Sequence, residues 1–414
     1  MVSYGEYHHN IRSLIALSNK YGPLVKQDLG HINAVLSFDP GDVVRVSGGG
    51  QYVHGLSEVM NQAIVLSYKE NGIPSGFEWK HTKTPLPITA GTSSYLPLLV
   101  PTVYQLVESF SSLDPTEAYL IVSLNLFCKM MFGSDMISSD IPWTQSEWTN
   151  YANRAKHLIP LMSMYSLSPP EHHEPLLQTF KGGWNSLYDP LKKSLQTSVE
   201  ESLKWQKKTS KPYICRLLNH YGEAAYLSLF MFTLIGRLFT VLNTALATTT
   251  HTLEWLIYNI AHYPEVQEKL YQEIYFVTKG CPLSEEQLQH LPYLGACIKE
   301  TLRLHPPNLG YSYILNKDIT LQSYVIPANV LIMTSSIPHG YDETKYSDPL
   351  VFKPERWTKN PSNLFSLPKF VSQSSQMSQG SLDLNIEEGV KSFLCSLIQK
   401  YQVVDVSTTP HLID

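Results

Sequence analysis

Glu300 and Arg303 stand three residues apart in the run Lys299-Glu300-Thr301-Leu302-Arg303-Leu304-His305-Pro306-Pro307. On a helix that spacing places a carboxylate and a guanidinium on one face, where they form an ion pair. Most pairs of this kind are solvated and contribute only about 0.3–0.5 kcal/mol. The surroundings here are different. Leu302 and Leu304 give the helix apolar flanks, and Pro306-Pro307 end it. Further along, Phe352-Lys353-Pro354-Glu355-Arg356-Trp357 brings a second arginine in an aromatic and proline setting. Arg356 can reach the same carboxylate bidentately, as guanidiniums do.

Two other stretches carry polar groups of chemical interest. Thr244-Ala245-Leu246-Ala247-Thr248-Thr249-Thr250-His251-Thr252 lies inside a long apolar-periodic segment from about Ala224 to His262, which predicts a helix ending before Pro264. Threonines there can bond back to the preceding turn. Glu171-His172-His173-Glu174 follows a Pro-Pro pair but lacks the HExxH spacing that sets two imidazoles on one helical face. A solvated loop is expected there.

Several elements must position the Glu300 group. Pro264 to Ile274 reads as an amphipathic helix with proline in its first turn. Ser284 and Gln287 form a capping-box pattern for a short helix before Leu291-Pro292-Tyr293-Leu294. Leu24 to Leu29 and Ala34 to Phe38 predict a hairpin around Gly30, closed by Asp39-Pro40. Tyr311 to Leu315, Ile319 to Leu321 and Tyr324 to Met333 predict short strands, with turns at Asn316-Lys317-Asp318 and Pro327-Ala328-Asn329. Between Pro115 and Tyr221 the pattern is helical over Glu117 to Met131 and Trp184 to Trp205, with prolines interrupting.

Composition limits the function classes. The chain has 414 residues, 43% of them hydrophobic, enough for one very large domain or two to three ordinary ones. With 31 Lys+Arg against 36 Asp+Glu and a net charge of −5, no basic footprint for nucleic acid exists. The five cysteines, Cys128, Cys215, Cys281, Cys297 and Cys395, are widely spaced with no CxxC, which argues against a disulfide framework or a zinc site and for a reducing interior. Met1 to Lys20 carries no presequence or anchor pattern, and the most apolar window, Tyr226 to Ala247, is broken by Arg237 and Asn243. A soluble intracellular protein is expected.

The motifs together resemble the cytochrome P-450 superfamily, the heme-thiolate monooxygenases. ETLRLHPP is similar to the family's ExxR helix and FKPERW to its PERW turn, so Glu300, Arg303 and Arg356 match its structural triad. YGPLV…LG…V…DP near the N-terminus is most like the animal mitochondrial branch. The resemblance implies a mostly α (α+β) fold: one helical domain over residues 1–414, with sheet-rich parts at about 21–75 and 308–335. It implies heme, dioxygen, ferredoxin electrons and a lipophilic substrate, steroids such as ecdysteroids being one class, and it implies a mitochondrial location.

Carried over residue by residue, the family pattern is incomplete. Thr248 matches the threonine of the oxygen groove, but Ala247 stands at the acid position and Ala245 at the glycine position, so no side chain with a suitable pKa is there to deliver protons. Trp79 and Lys83 match a Trp and an Arg that hold a heme propionate, with lysine losing the bidentate geometry and Pro85 and Pro87 interrupting the helix that follows. Tyr313 takes the place of a second propionate arginine. Lys299 keeps one basic residue of the ferredoxin-docking helix, and Gly295 replaces another.

The cysteine loop itself is missing. Residues 369–381 read Lys-Phe-Val-Ser-Gln-Ser-Ser-Gln-Met-Ser-Gln-Gly-Ser, with Met377 in the place of the thiolate ligand and Ser375 in that of an arginine. Three readings stay open: a heme-free or catalytically dead relative that binds a lipophile, heme held by the Met377 thioether, or a faulty gene model that put Ser/Gln-rich sequence in place of an exon. The expectation is a monooxygenase lineage whose chemistry is impaired in this chain; a purely structural interaction protein has no positive support.

Overall fold

The computed structural model describes residues 4–28, 33–48, 52–53, 95–110, 117–133, 150, 170–172, 174–179, 182–183, 211–215, 246–358 and 382–404. Its helices are α1 (Tyr4–Tyr21), α2 (Pro40–Gly48), α3 (Leu96–Phe110), α4 (Ala118–Phe132), α5 (246–262), α6 (Pro264–Thr278), α7 (Glu285–Leu288), α8 (Pro292–Leu304), α9 (Ile337–Gly340) and α10 (Leu382–Lys400). The strands are β1 (Leu24–Asp28), β2 (Asn33–Ser37), β3 (Tyr52–Val53), β4 (Tyr311–Leu315), β5 (Ile319–Leu321), β6 (Tyr324–Ile326) and β7 (Leu331–Thr334). The fold is α-rich with small β-sheets. Contacts divide the chain into two compact units: Met1–Trp79 with Arg154–Leu187 and Pro306–Val351, and Lys80–Asn153 with Tyr188–His305 and Phe352–Asp414.

The first unit holds the strands. β1 and β2 form the antiparallel hairpin anticipated from the sequence, with Leu24 opposite Ser37. The short strands expected after Tyr311 are present, and the structure shows what they pair with. β7 pairs in parallel with β2, and β4 pairs antiparallel with β7, so one five-stranded sheet runs β1-β2-β7-β4-β3. Among the described residues, β5 and β6 form a separate two-stranded sheet. A parallel pair needs a long crossover, and nothing local in either strand records its distant neighbour. What β2 does record is burial: Ala34, Val35, Leu36 and Ser37 are all buried, as a central strand requires.

Register places Val35, Ile332 and Tyr313 side by side across β2, β7 and β4. They share a core with Val46, Leu315, Leu321 and Ile326. The β5–β6 turn is made by Gln322 and Ser323, both at positive φ (46° and 72°), where Asn-Gly would be the relaxed choice. Gln322 gains a partner there, because its amide donates to Asp42 Oδ2 at 2.9 Å. Asp42, itself buried, also accepts from Ser37 Oγ at 2.7 Å, so one carboxylate ties the hairpin to the β2–α2 corner.

The second unit is helical. α4 is buried on every side, with only Tyr119 and Lys129 outside the buried set, as expected for a helix without a polar face. Gly133 at φ 81° ends it, its N–H donating to Lys129 O. α10 crosses α3 and α4 closely: a Cβ on Gly389 would stand 3.4 Å from Leu126 and 3.7 Å from Leu99. Phe393 meets Phe110 edge-on at 5.5 Å. The far end of α10 is held by Gln267 of α6, whose amide both donates to Val403 O (2.7 Å) and accepts from Val403 N (2.8 Å). Among the described residues, no helix is long and apolar enough to cross a membrane.

A test of the first unit's sheet follows from Gly310, just before β4. A Cβ at this position would lie 2.4 Å from the Thr334 carbonyl oxygen, closer than backbone atoms tolerate. Gly310→Ala is expected to destabilise the protein by about 1–3 kcal/mol through forced strand displacement, read as a lowered urea midpoint. An unchanged midpoint would mean that β4 and β7 are not this closely apposed.

Candidate functional site

The Glu300 carboxylate is completely buried in α8 and accepts five hydrogen bonds. Arg303, one turn on, donates from Nε to Oε2 at 3.0 Å and from Nη2 to Oε1 at 2.7 Å. Arg356 donates from Nε to Oε1 at 3.0 Å, so the structure brings the three sequence-predicted residues together. Two further donors come from the same turn and were not anticipated: the Lys353 backbone N–H (3.1 Å, to Oε1) and the Trp357 indole N–H (2.8 Å, to Oε2). An indole carries one donor and no acceptor, so a tryptophan beside the arginine was the available signal. Both guanidiniums and the two neutral donors converge on the one carboxylate.

The turn Pro354–Arg356 and helix α8 are fixed from outside the carboxylate as well. Glu355 Oε1 accepts from Lys269 Nζ of α6 (2.6 Å) and from Tyr293 Oη of α8 (3.0 Å). Helix α8 begins with Leu291 at its N-cap and Pro292 behind it, neither of which offers a side-chain acceptor. Glu273 of α6 supplies it instead, taking the N–H groups of Tyr293 (2.7 Å) and Leu294 (2.9 Å). Burial pushes the Glu273 carboxyl above its usual range, and those two N–H bonds pull the other way. The capping box at α7 is present, with Ser284 and Gln287 bonding reciprocally.

Helix α5 supplies the other sequence-predicted positions. Ala247 is exposed and Thr248 half-buried. Thr252 bonds back to Thr248 O (2.7 Å), and Thr250 donates to Ser123 Oγ of α4 (3.0 Å). These two threonines therefore serve helix and packing bonds. Below them, the His251 ring Nε2 lies 3.2 Å from the carbonyl of His305, the C-cap of α8, while the His305 ring stacks on Trp255 at 3.5 Å and 6°. Burial lowers the His251 pKa to about 4, partly opposed by the bond to His305, so the imidazole is neutral near pH 7 and donates to that carbonyl.

Other expected positions divide into two groups. Tyr313 is a core residue of the sheet unit, and Lys299 is half-buried on α8. Glu171 and His172 lie exposed at a 3-10 turn, Pro170–His172. Trp79, Lys83, Ser375, Met377 and the loop 369–381 lie outside the described residues.

The residues that are described do not fit a heme-thiolate ligand. Cys128, Cys215, Cys297 and Cys395 are buried and Cys281 is exposed. Burial raises the thiol pKa of Cys395 to about 12, and that of Cys297 far above its usual value, so both stay protonated, whereas iron takes the thiolate. No cluster of His, Cys, Asp or Glu among the described residues could hold a metal ion. From Pro307 to Leu394 the sequence contains no cysteine at all.

Two measurements bear on this geometry. Glu300→Gln removes the buried anion to which Arg303 and Arg356 both donate, and it is expected to cost about 3–5 kcal/mol of folding stability; denaturant titration showing a loss below about 1 kcal/mol would mean that the network is solvated. For His251, the folded pKa of about 4 lies below the unfolded value of 6.5. The unfolded chain then binds the extra proton first, so this contribution is intact above pH 6.5 and is lost as pH falls towards 4. It amounts to roughly 3 kcal/mol, and His251→Asn should flatten the fall in melting temperature across that window.

Comparison with known proteins gives the arrangement its context. Mitochondrial cholesterol side-chain cleavage enzyme of Hypanus americanus is 23% identical over 373 residues, which cover 84% of this chain and 71% of that one. Mitochondrial sterol 26-hydroxylase of Homo sapiens is 28% identical over 312 residues, 72% of this chain and 57% of that one. For the mitochondrial 1,25-dihydroxyvitamin D(3) 24-hydroxylase of Rattus norvegicus the figures are 25% over 272 residues, 64% and 51%. The chain thus spans from about half to seven-tenths of the length of these relatives. With the profile described as "Cytochrome P450" matching residues 1–374, the chain belongs to the cytochrome P450 family.

Proposed function

We propose that this chain derives from mitochondrial sterol-oxidising P450 enzymes, keeps their framework for holding a lipophilic molecule of sterol size, and is impaired in oxygen chemistry. One observation carries the reading: the Glu300 carboxylate accepts five hydrogen bonds, while no cysteine occurs between Pro307 and Leu394. A heme held by a thiolate supplies the electron density that favours O–O cleavage. This chain's residues offer no such ligand, and at Ala247 no acid to carry protons. Its role is then the binding of a lipophile in a mitochondrial setting, with the ferredoxin-facing side reduced to Lys299 and Gly295 on α8.

A second reading has its own support. The family match stops at residue 374, just before Met377, and the stretch Val371 to Ser381 is rich in Ser and Gln. An active monooxygenase whose cysteine exon was lost in assembling the gene accounts for that break. It does not account for Ala247 or Tyr313.

Absorption spectroscopy separates these. The purified chain, produced with heme supplied and then reduced under CO, is expected to show no thiolate-type Soret band, while a sterol should still quench its tryptophan fluorescence saturably. A thiolate–CO band would overturn the impaired reading, and absence of any sterol binding would overturn the binding role. Sequencing transcripts past the codon for Pro368 tests the second reading: an in-frame glycine-rich segment with a cysteine supports it, and the Ser/Gln-rich sequence removes it.

A further inference from the structure

Helix α6 has two faces of different character. Val266, Gln267, Leu270, Ile274 and Thr278 are buried. On the other side Glu265, Glu268, Gln272, Tyr275 and Lys279 follow one another at 3-4-3-4 spacing and are all exposed. That spacing places them on one face of the helix. Beside it, Phe276 is 74% exposed and Tyr275 53%, an unusual amount of aromatic surface for one short helix. Lys279 Nζ sits 4.3 Å over the Phe276 ring, and Gln272 bonds Glu268 at 2.7 Å, so the stripe is ordered along its length.

The stripe is also complementary to itself. Its acids lie at the N-terminal end and Lys279 at the C-terminal end. Two copies of α6 laid antiparallel with Gln272 on the two-fold axis set Glu265 of one against Lys279 of the other, Glu268 against Phe276, and Tyr275 against Lys269. Each contact occurs twice, as an isologous interface requires. We infer that the exposed face of α6 is a homodimer contact, a second copy of this chain being its occupant. One helix pair covers less than the roughly 1,200–2,000 Å2 of a standard interface, so the dimer is weak and concentration-dependent.

A bland explanation of the charges exists: acids early and bases late in a helix suit its macrodipole. Charge exchange distinguishes the two. Glu265→Lys or Lys279→Glu alone puts like charges face to face across the axis and should weaken the dimer about tenfold. The double exchange restores opposite charges between copies while being the worst case for the macrodipole. It should therefore regain the native dimer constant even as its melting temperature falls. Phe276→Ser removes the apolar part and should weaken dimerisation about tenfold or more.

Sedimentation velocity of the full chain over about two orders of magnitude in concentration reads these constants. A dimer that Phe276→Ser weakens, and that the single exchanges weaken and the double rescues, supports the contact. A chain that stays monomeric throughout, a dimer indifferent to Phe276→Ser, or a double exchange as weak as the singles overturns it.

Discussion

A fully buried carboxylate is the constraint on which the helical unit turns. In a low-dielectric interior Glu300 cannot stay ionised without partners, and an unpaired charge there costs several kcal/mol. It obtains them from its own helix and from the turn of Lys353 to Trp357. Helix and turn are consequently one object. The same logic repeats one layer out, where Glu355 and Glu273 join α6 to that turn and to the start of α8. Three carboxylates thus position segments that are distant in sequence.

Such a framework needs no iron to exist. The five donors that hold Glu300 are all protein groups. In the function proposed for this chain, oxygen chemistry asks for separate residues, an anionic sulfur and a proton carrier. On that reading Met377 and Ala247 stand at the positions concerned. Structural and catalytic requirements fall on different side chains, so one set can be kept while the other changes. Thr250 and Thr252 illustrate this on α5, where their hydroxyls serve Ser123 and the preceding turn.

Some polar choices still look expensive. Gln322 and Ser323 accept a left-handed backbone that glycine would adopt freely, and the bond to Asp42 offsets part of the strain at the first of them. Gln267 does what a strand would do for Val403, offering donor and acceptor side by side to its backbone. Both are side-chain solutions to backbone problems, and both act over long sequence separations.

What the sequence determined by itself was the local and the periodic. The helix–turn pair around Glu300 and Arg356, the strand pair at Leu24–Ser37, the strands Tyr311–Leu315 and Ile319–Leu321 and the capping box at Ser284 were all legible, because each depends on residues a few positions apart. So was the family. Tertiary structure alone decided what depends on distant neighbours: the parallel pairing of β2 with β7, the burial of Tyr313 in a sheet core, the indole of Trp357 on Glu300, and Glu273 capping a helix twenty residues on. A hydrogen bond or a packed face is a relation between two segments. Sequence periodicity reports that a face must be covered or a donor satisfied, and only the folded chain says by what.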